Sequence, residues 1–157
     1  MRPAHGLFLV ILFAILSGTS PSMAAHYASL RSDKVNMREG PTYAHPILWV
    51  YRRRAYPVEV VAVYDSWRRV RDVDGEVGWM SASMLSDSRT VLITAKPRAA
   101  LHAYADPRSR ILAYAATGVV ARLKACEVSA CRISAGGVDG WIDKRQIWGV
   151  DAGEVFE

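Results

Sequence analysis

Asp74-Gly75-Glu76-Val77-Gly78-Trp79-Met80 and Gly136-Gly137-Val138-Asp139-Gly140-Trp141-Ile142 are one phrase stated twice. Each copy runs through a turn and a short spacer to Gly-Trp and an apolar residue. Each also follows a strand-like stretch. Self-similarity of this kind marks a duplicated small unit. Val70 to Trp79 and Ile133 to Trp141 are nearly equal separations, so coincidence is a weak explanation.

Outward from the first copy, β-branched runs alternate with turn residues. Val58–Tyr64 and Trp67–Arg71 read as strands around an Asp65-Ser66 turn. Asp74-Gly75 is a hairpin signal, because glycine accepts positive φ. Val77–Met80 is the next strand, and Ser81–Leu85 reads as a short helical turn. Upstream, Gly40-Pro41 divides Val35–Arg38 from Ile47–Tyr51. The second half repeats the order: Val91–Thr94, Leu101–Ala103, a loop at Asp106-Pro107, Ile111–Tyr114, Val119–Lys124, Cys131–Ser134 and Val138–Ile142. Asp143–Trp148 takes the place of the helical turn. Strand signals dominate after residue 30, and no long helical periodicity follows, so the fold class is all-β. The expected division is residues 29–86 for the first unit, 90–150 for the second and 151–157 for an acidic tail that frays.

The chain has 157 residues, 51% hydrophobic and 22% charged, a globular composition. Its start is a separate matter. Arg2 precedes the apolar run Leu7–Leu16, a polar stretch follows, and Ser22-Met23-Ala24 offers small residues to a peptidase. The run is shorter than the ~20 apolar residues that span a bilayer. Residues 1–24 are therefore expected to be a secretory signal peptide cleaved after Ala24, with Ala25 as the neighbouring option. Export places the rest in the periplasm or outside the cell. The formal charge of the whole chain is +5, and Arg2 is the only charged residue in the leader. The remaining mild positive charge suits an anionic envelope neighbour. The basic residues are too dispersed for a nucleic-acid footprint.

An oxidising compartment permits a disulfide between the two cysteines, Cys126 and Cys131. Their separation fits a bridge across the neck of a hairpin. It does not fit a Cys-x-x-Cys redox motif, and no neighbouring ligands complete a metal set. Ala121, Leu123 and Ala125 share one face by alternation, which puts Cys126 on the other. A bulge near the turn, or another register, must then bring the sulfurs together.

Val35-Asn36-Met37-Arg38-Glu39-Gly40-Pro41, Val58-Glu59-Val60, Trp67-Arg68-Arg69-Val70, Gly78-Trp79-Met80 and Leu85 resemble the bacterial SH3-like (SH3b) family. The second copy keeps Gly140-Trp141-Ile142. It lacks the Asn-hydrophobic-Arg-x-Gly-Pro run and the Trp before Arg132-Ile133, and it adds the cysteines. The resemblance implies two small, strongly bent SH3-like barrels in tandem. It also implies a binding module, often for peptidoglycan or envelope proteins, that is not itself catalytic.

The candidate binding residues are Tyr43, Trp49, Tyr51, Arg53 and Trp67. Aromatics beside the basic run Arg52-Arg53-Arg54 suit sugar or peptide faces that carry carboxylates. The competing reading packs Trp49 and Tyr51 between the units and leaves the arginines in a solvated turn. By alternation Trp67 shares a face with Arg69 and Arg71, opposite Val70. It is then either a binding surface or shielded by an arginine stem. Trp79 and Trp141 are expected to fill the two cores. Asp72 and Asp74 suit turn capping better than acid–base work. His26, His45 and His102 are scattered, and the serines lack a nucleophile elbow. No catalytic residue, cofactor or metal is therefore assigned, and the protein is expected not to be an enzyme. The expected function is non-catalytic recognition of peptidoglycan or its stem peptides. The alternative is an adaptor that binds an extended segment of an envelope protein.

Overall fold

The computed structural model describes residues 26–157. The leader expected at residues 1–24 lies outside them. The described chain forms two seven-stranded antiparallel sheets in tandem. The first holds β1 (His26–Leu30), β2 (Val35–Arg38), β3 (Ile47–Tyr51), β4 (Pro57–Tyr64), β5 (Trp67–Arg71), β6 (Val77–Ser81) and β7 (Leu85–Ser86). The second holds β8 (Thr90–Ile93), β9 (Arg98–His102), β10 (Ile111–Ala116), β11 (Val120–Cys126), β12 (Ala130–Ala135), β13 (Val138–Asp143) and β14 (Ile147–Trp148). Spatial order is β3-β2-β6-β5-β4-β1-β7 in one and β10-β9-β13-β12-β11-β8-β14 in the other. Every strand occupies the place of the strand seven earlier. The all-β, duplicated architecture read from the twin phrases is present.

Alternation sets each core. In β2, Val35 and Met37 turn inward, and in β6 Gly78 and Met80 do. With Leu30, Val58, Val60, Val70 and Leu85 they form the first core. Val91, Ile93, Leu101, Leu123, Ile133, Ile142 and Ile147 form the second, joined by both cysteines. Short 3-10 turns at Ala82–Met84 and Lys144–Gln146 follow β6 and β13, where the sequence places them.

The Gly-Trp phrases depart from expectation in their tryptophans. Gly78 and Gly140 are buried, whereas Trp79 and Trp141 are only half-buried and lie on the outer face. A Cβ on Gly78 would stand 2.9 Å from the Arg38 carbonyl oxygen and closer still to Met37. One on Gly140 would stand 2.8 Å from the Leu101 Cβ. The glycines let β6 cross β2, and β13 cross β9, at close range. Strict alternation then turns each tryptophan away from its core. Trp79 meets Tyr64 edge-on at 6.4 Å instead.

The disulfide Cys126–Cys131 closes the β11–β12 hairpin, with the two residues directly opposite. The register shifts between Leu123 and Ala125. That shift is the bulge the alternation required. It moves Cys126 onto the buried face shared with Leu123.

The C-terminal segment does not fray. Phe156 exchanges both backbone hydrogen bonds with Cys126, at 2.8 and 3.0 Å. Arg89 donates to both carboxylate oxygens of Glu154, and the Lys144 ammonium donates to the carbonyls of Ala152 and Glu154. One of the acidic residues that suggested a solvated tail, Glu154, anchors it through its carboxylate.

Candidate functional site

The loop between β2 and β3 is built around one side chain. Arg38 donates to the carbonyls of Tyr43 and His45, at 3.1 and 2.7 Å, and lies over the Tyr43 ring at 5.6 Å. Gly40 lets the loop close, since a Cβ there would strike the His45 ring. Tyr43 is thereby held out in solvent, 71% exposed, with its ring edge-on to Trp67 at 5.0 Å. Trp67 is only 6% exposed. It is not an open platform, and the Tyr43 ring packs against it. Tyr43 and Trp67 line a cleft of about 150 Å³ with Lys34, Asn36, Arg38 and Met84.

The equivalent place in the second unit is larger. Register aligns Trp67 with Ala130: Trp67 faces Ser81 across β5–β6, and Ala130 faces Asp143 across β12–β13. Where the first unit has an indole, the second has a methyl. The cleft expands to about 470 Å³, lined by His102, Tyr104, Pro107, Trp141, Asp143 and Arg145 among others. Tyr104, 72% exposed, sits on the β9–β10 loop as Tyr43 does on its own. Ser109 and Asp106 tie that loop: the Ser109 hydroxyl donates to the Asp106 carbonyl at 2.7 Å, and the Asp106 carboxylate accepts the Arg108 amide. Hydrogen bonds from the Arg108 amide and guanidinium hold the Asp106 carboxyl below its usual range. The Arg145 side chain does the same for Asp143. The sequence signal for this cleft was the absence of a tryptophan before Arg132-Ile133, which marks a vacated position.

Trp49, Tyr51 and Arg53 gather elsewhere, around a shallow hollow of about 470 Å³ with Tyr56, Asp72, Asp74 and Glu76. The five candidates thus divide into two groups. Trp49 is 53% exposed and does not pack between the units. Tyr51 is fixed instead. Its hydroxyl donates to Asp72 at 2.7 Å, and burial pushes the phenol far above its ordinary pKa, with that hydrogen bond adding to the effect. Burial, then the Asp72 charge, pushes Tyr56 up to about 12. Asp72 also accepts the amides of Asp74 and Glu76, the turn-capping role its position suggested. Arg53 reaches across to the second unit and donates to the Gly118 carbonyl at 2.6 Å.

β3 is an edge strand, and Ile47, Leu48, Trp49 and Val50 are all exposed on it. β10 is the corresponding edge, with Ile111, Leu112 and Tyr114 exposed. Among the described residues, no group of three or more His, Cys, Asp or Glu side chains is placed to hold a metal ion.

Residues 31–87 and 95–149 each match the family model described as bacterial SH3 domain. No curated protein sequence matches the chain. Among solved structures, it is similar to NlpC2 of Trichomonas vaginalis, at 15% identity over 82% of this chain and 51% of that one, with a TM-score of 0.37. NlpC1 of the same organism gives 16% identity over 88% and 50%, with a TM-score of 0.37. An NlpC/P60 family protein of Bacillus cereus gives 15% identity over 77% and 55%, with a TM-score of 0.35. The chain spans about half the length of each of these structures.

Proposed function

This chain belongs to the bacterial SH3 domain family, with two copies in tandem, and from that premise we propose that it is an exported, non-catalytic binding protein of the cell envelope whose ligand is peptidoglycan or its stem peptides. One observation carries the reading. Both copies leave an aromatic-lined cleft at the same place, between the loop after the second strand, the start of the fifth and the 3-10 turn. Exposed Tyr43 and Tyr104 offer flat faces for sugar rings or peptide planes at little entropic cost. Lys34 and Arg38 beside the first cleft complement ligand carboxylates, whereas Arg145 beside the second is paired with Asp143.

The test is cosedimentation with purified sacculi. Tyr43→Ala removes the exposed ring of the first cleft. Ala130→Trp installs in the second cleft the residue that narrows the first. The double variant is expected to lose about tenfold or more in binding, as loss of stacked aromatics does at other surfaces. Binding by the double variant equal to that of the parent overturns the assignment.

The exposed apolar edges β3 and β10 favour a second reading, an adaptor that adds an extended segment of an envelope protein as a further strand. Under that reading Trp49→Ala weakens capture of one defined protein, and the parent protein ignores sacculi.

A further inference from the structure

The two units meet along a cleft of about 400 Å³ that neither the aromatic sites nor the hollow around Trp49 includes. Its walls come from both. Ser29, Leu30, Arg31, Arg54 and Ala55 belong to the first, Ser86 and Ser88 to the connection, and Thr90, Val120, Ala121 and Arg122 to the second. Three arginines, Arg31, Arg54 and Arg122, thus line one concavity, and no carboxylate lines it. Like charges gathered around a concavity with no counter-charge in its walls favour an anionic occupant.

The cleft is held open by its own bonds. Arg31 donates its Nε–H to the Leu85 carbonyl at 3.1 Å, which fixes the side chain at the boundary between this cleft and a neighbouring hollow that includes Asp87. Thr90 donates to the Ala55 carbonyl at 2.7 Å and fixes one wall to the other. Ala55 sits on this wall at φ 61°, in the left-handed region that an alanine seldom adopts. Its amide bonds to the Leu30 carbonyl at 2.8 Å and holds it there. Arg54, the residue before it, lines the cleft, while Arg53 bonds Gly118 and Arg52 lines the hollow around Trp49. The run of three arginines is split by the local backbone into three different tasks. Among the described residues, neither Arg54 nor Arg122 belongs to an ion pair.

We infer that this inter-unit cleft is a binding site for a compact multivalent oxyanion, a phosphate ester or a polycarboxylate. Guanidinium forks pair bidentately with either chemistry, and the Ser86 and Ser88 hydroxyls can donate to oxygens between them. Because the arginines come from both units, the anion bridges them and the site exists only when they are docked. The inference is independent of the aromatic clefts and of their ligand.

The experiment titrates the isotopically labelled protein with inorganic pyrophosphate and, separately, with citrate, following amide and arginine Nε–H resonances by NMR. Saturable shifts confined to Arg31, Arg54, Ala55, Thr90 and Arg122 are expected from at least one probe, weakening as ionic strength rises. Response to pyrophosphate alone assigns a phosphate, and response to citrate alone a polycarboxylate. The Arg54→Gln/Arg122→Gln variant is expected to bind about tenfold or more weakly, because two charge-assisted contacts are removed, while its spectrum elsewhere is unchanged. Arg108→Gln, a change to an exposed arginine far from the cleft, leaves the titration as it was. Non-saturating shifts spread over exposed arginines generally, or an unaltered titration in the double variant, overturn the proposal.

Discussion

Glycine, more than tryptophan, is what the repeated phrase preserves for folding. Gly78 and Gly140 occupy points where a neighbouring strand leaves no room for a methyl group, and the adjacent indoles lie outside. Gly78→Ala is expected to destabilise the first unit by about 1–3 kcal/mol, the usual range for overpacking, with the backbone of β2 unable to yield as a side chain would. A denaturant melt of that variant checks the figure; an unchanged midpoint would show that β2 and β6 can separate freely. Reading the tryptophans as core was a natural error. A large apolar residue next to an invariant-looking glycine suggests filling, but period two puts neighbours on opposite faces. Trp67 misled for a different reason. Alternation set it correctly beside Arg69, but burial came from Tyr43, more than twenty residues away on a loop that sequence patterning does not fold.

At the scale of elements, the long strands were legible because β-branched runs and Asp-Gly turns are local signals. β1, β7 and β14 were not. The last two are two residues long, and all three exist through partners remote in sequence. Acidic residues near a terminus suggest solvation, yet the Glu154 carboxylate of this tail is held by Arg89. Its anchor has a pH signature. Burial raises the Glu154 pKa, but hydrogen bonds from Arg89 and the Asp151 amide, with the Arg89 charge, outweigh it and set the carboxyl below its ordinary 4.5. A carboxyl with a folded value below its unfolded one stabilises the fold when ionised. That contribution is whole above the ordinary value and fades as pH falls through the depressed one. Hydrogen exchange at the Cys126 and Phe156 amides should therefore be slow near neutrality and accelerate, relative to the β12 amides, as pH falls below the ordinary 4.5 and through the depressed value. Equal protection of both sets down to global acid unfolding would contradict the anchor. The disulfide at the same residue, Cys126, acts through the chain. Closing so short a loop contributes about 2 kcal/mol in the chain-entropy picture. Cys126→Ser should thus lower the unfolding temperature of the second unit and leave the first folded, read from the tryptophan and amide signals of each. Simultaneous loss of both would mean the units fold as one.

For the whole molecule, the joint matters as much as either unit. Arg89 stands in the short connection and serves both sides. Its guanidinium lies over Tyr27 of the first unit at 5.4 Å and over Phe156 at 5.8 Å, and it bonds the Gly149 carbonyl at 3.0 Å. Tyr27 also meets Trp148 edge-on at 5.5 Å, and burial, then the Glu59 charge, pushes its phenol up to about 12. Arg89→Ala removes the hub, leaves Glu154 without its arginine partner and is expected to move the unfolding transitions of the two units further apart than in the parent. A calorimetric scan in which their separation is unchanged would assign the docking to other contacts. Which residues seal the joint is not legible in the sequence, since those pairs are set by tertiary approach alone. A docked pair of clefts also has a consequence for a ligand that repeats along a polymer. Once one cleft is occupied, the other samples nearby ligand at a high effective concentration, so two weak grips multiply into avidity. The same geometry acts as a ruler: repeats spaced to suit it are retained, and repeats out of step are released at the rate of a single grip.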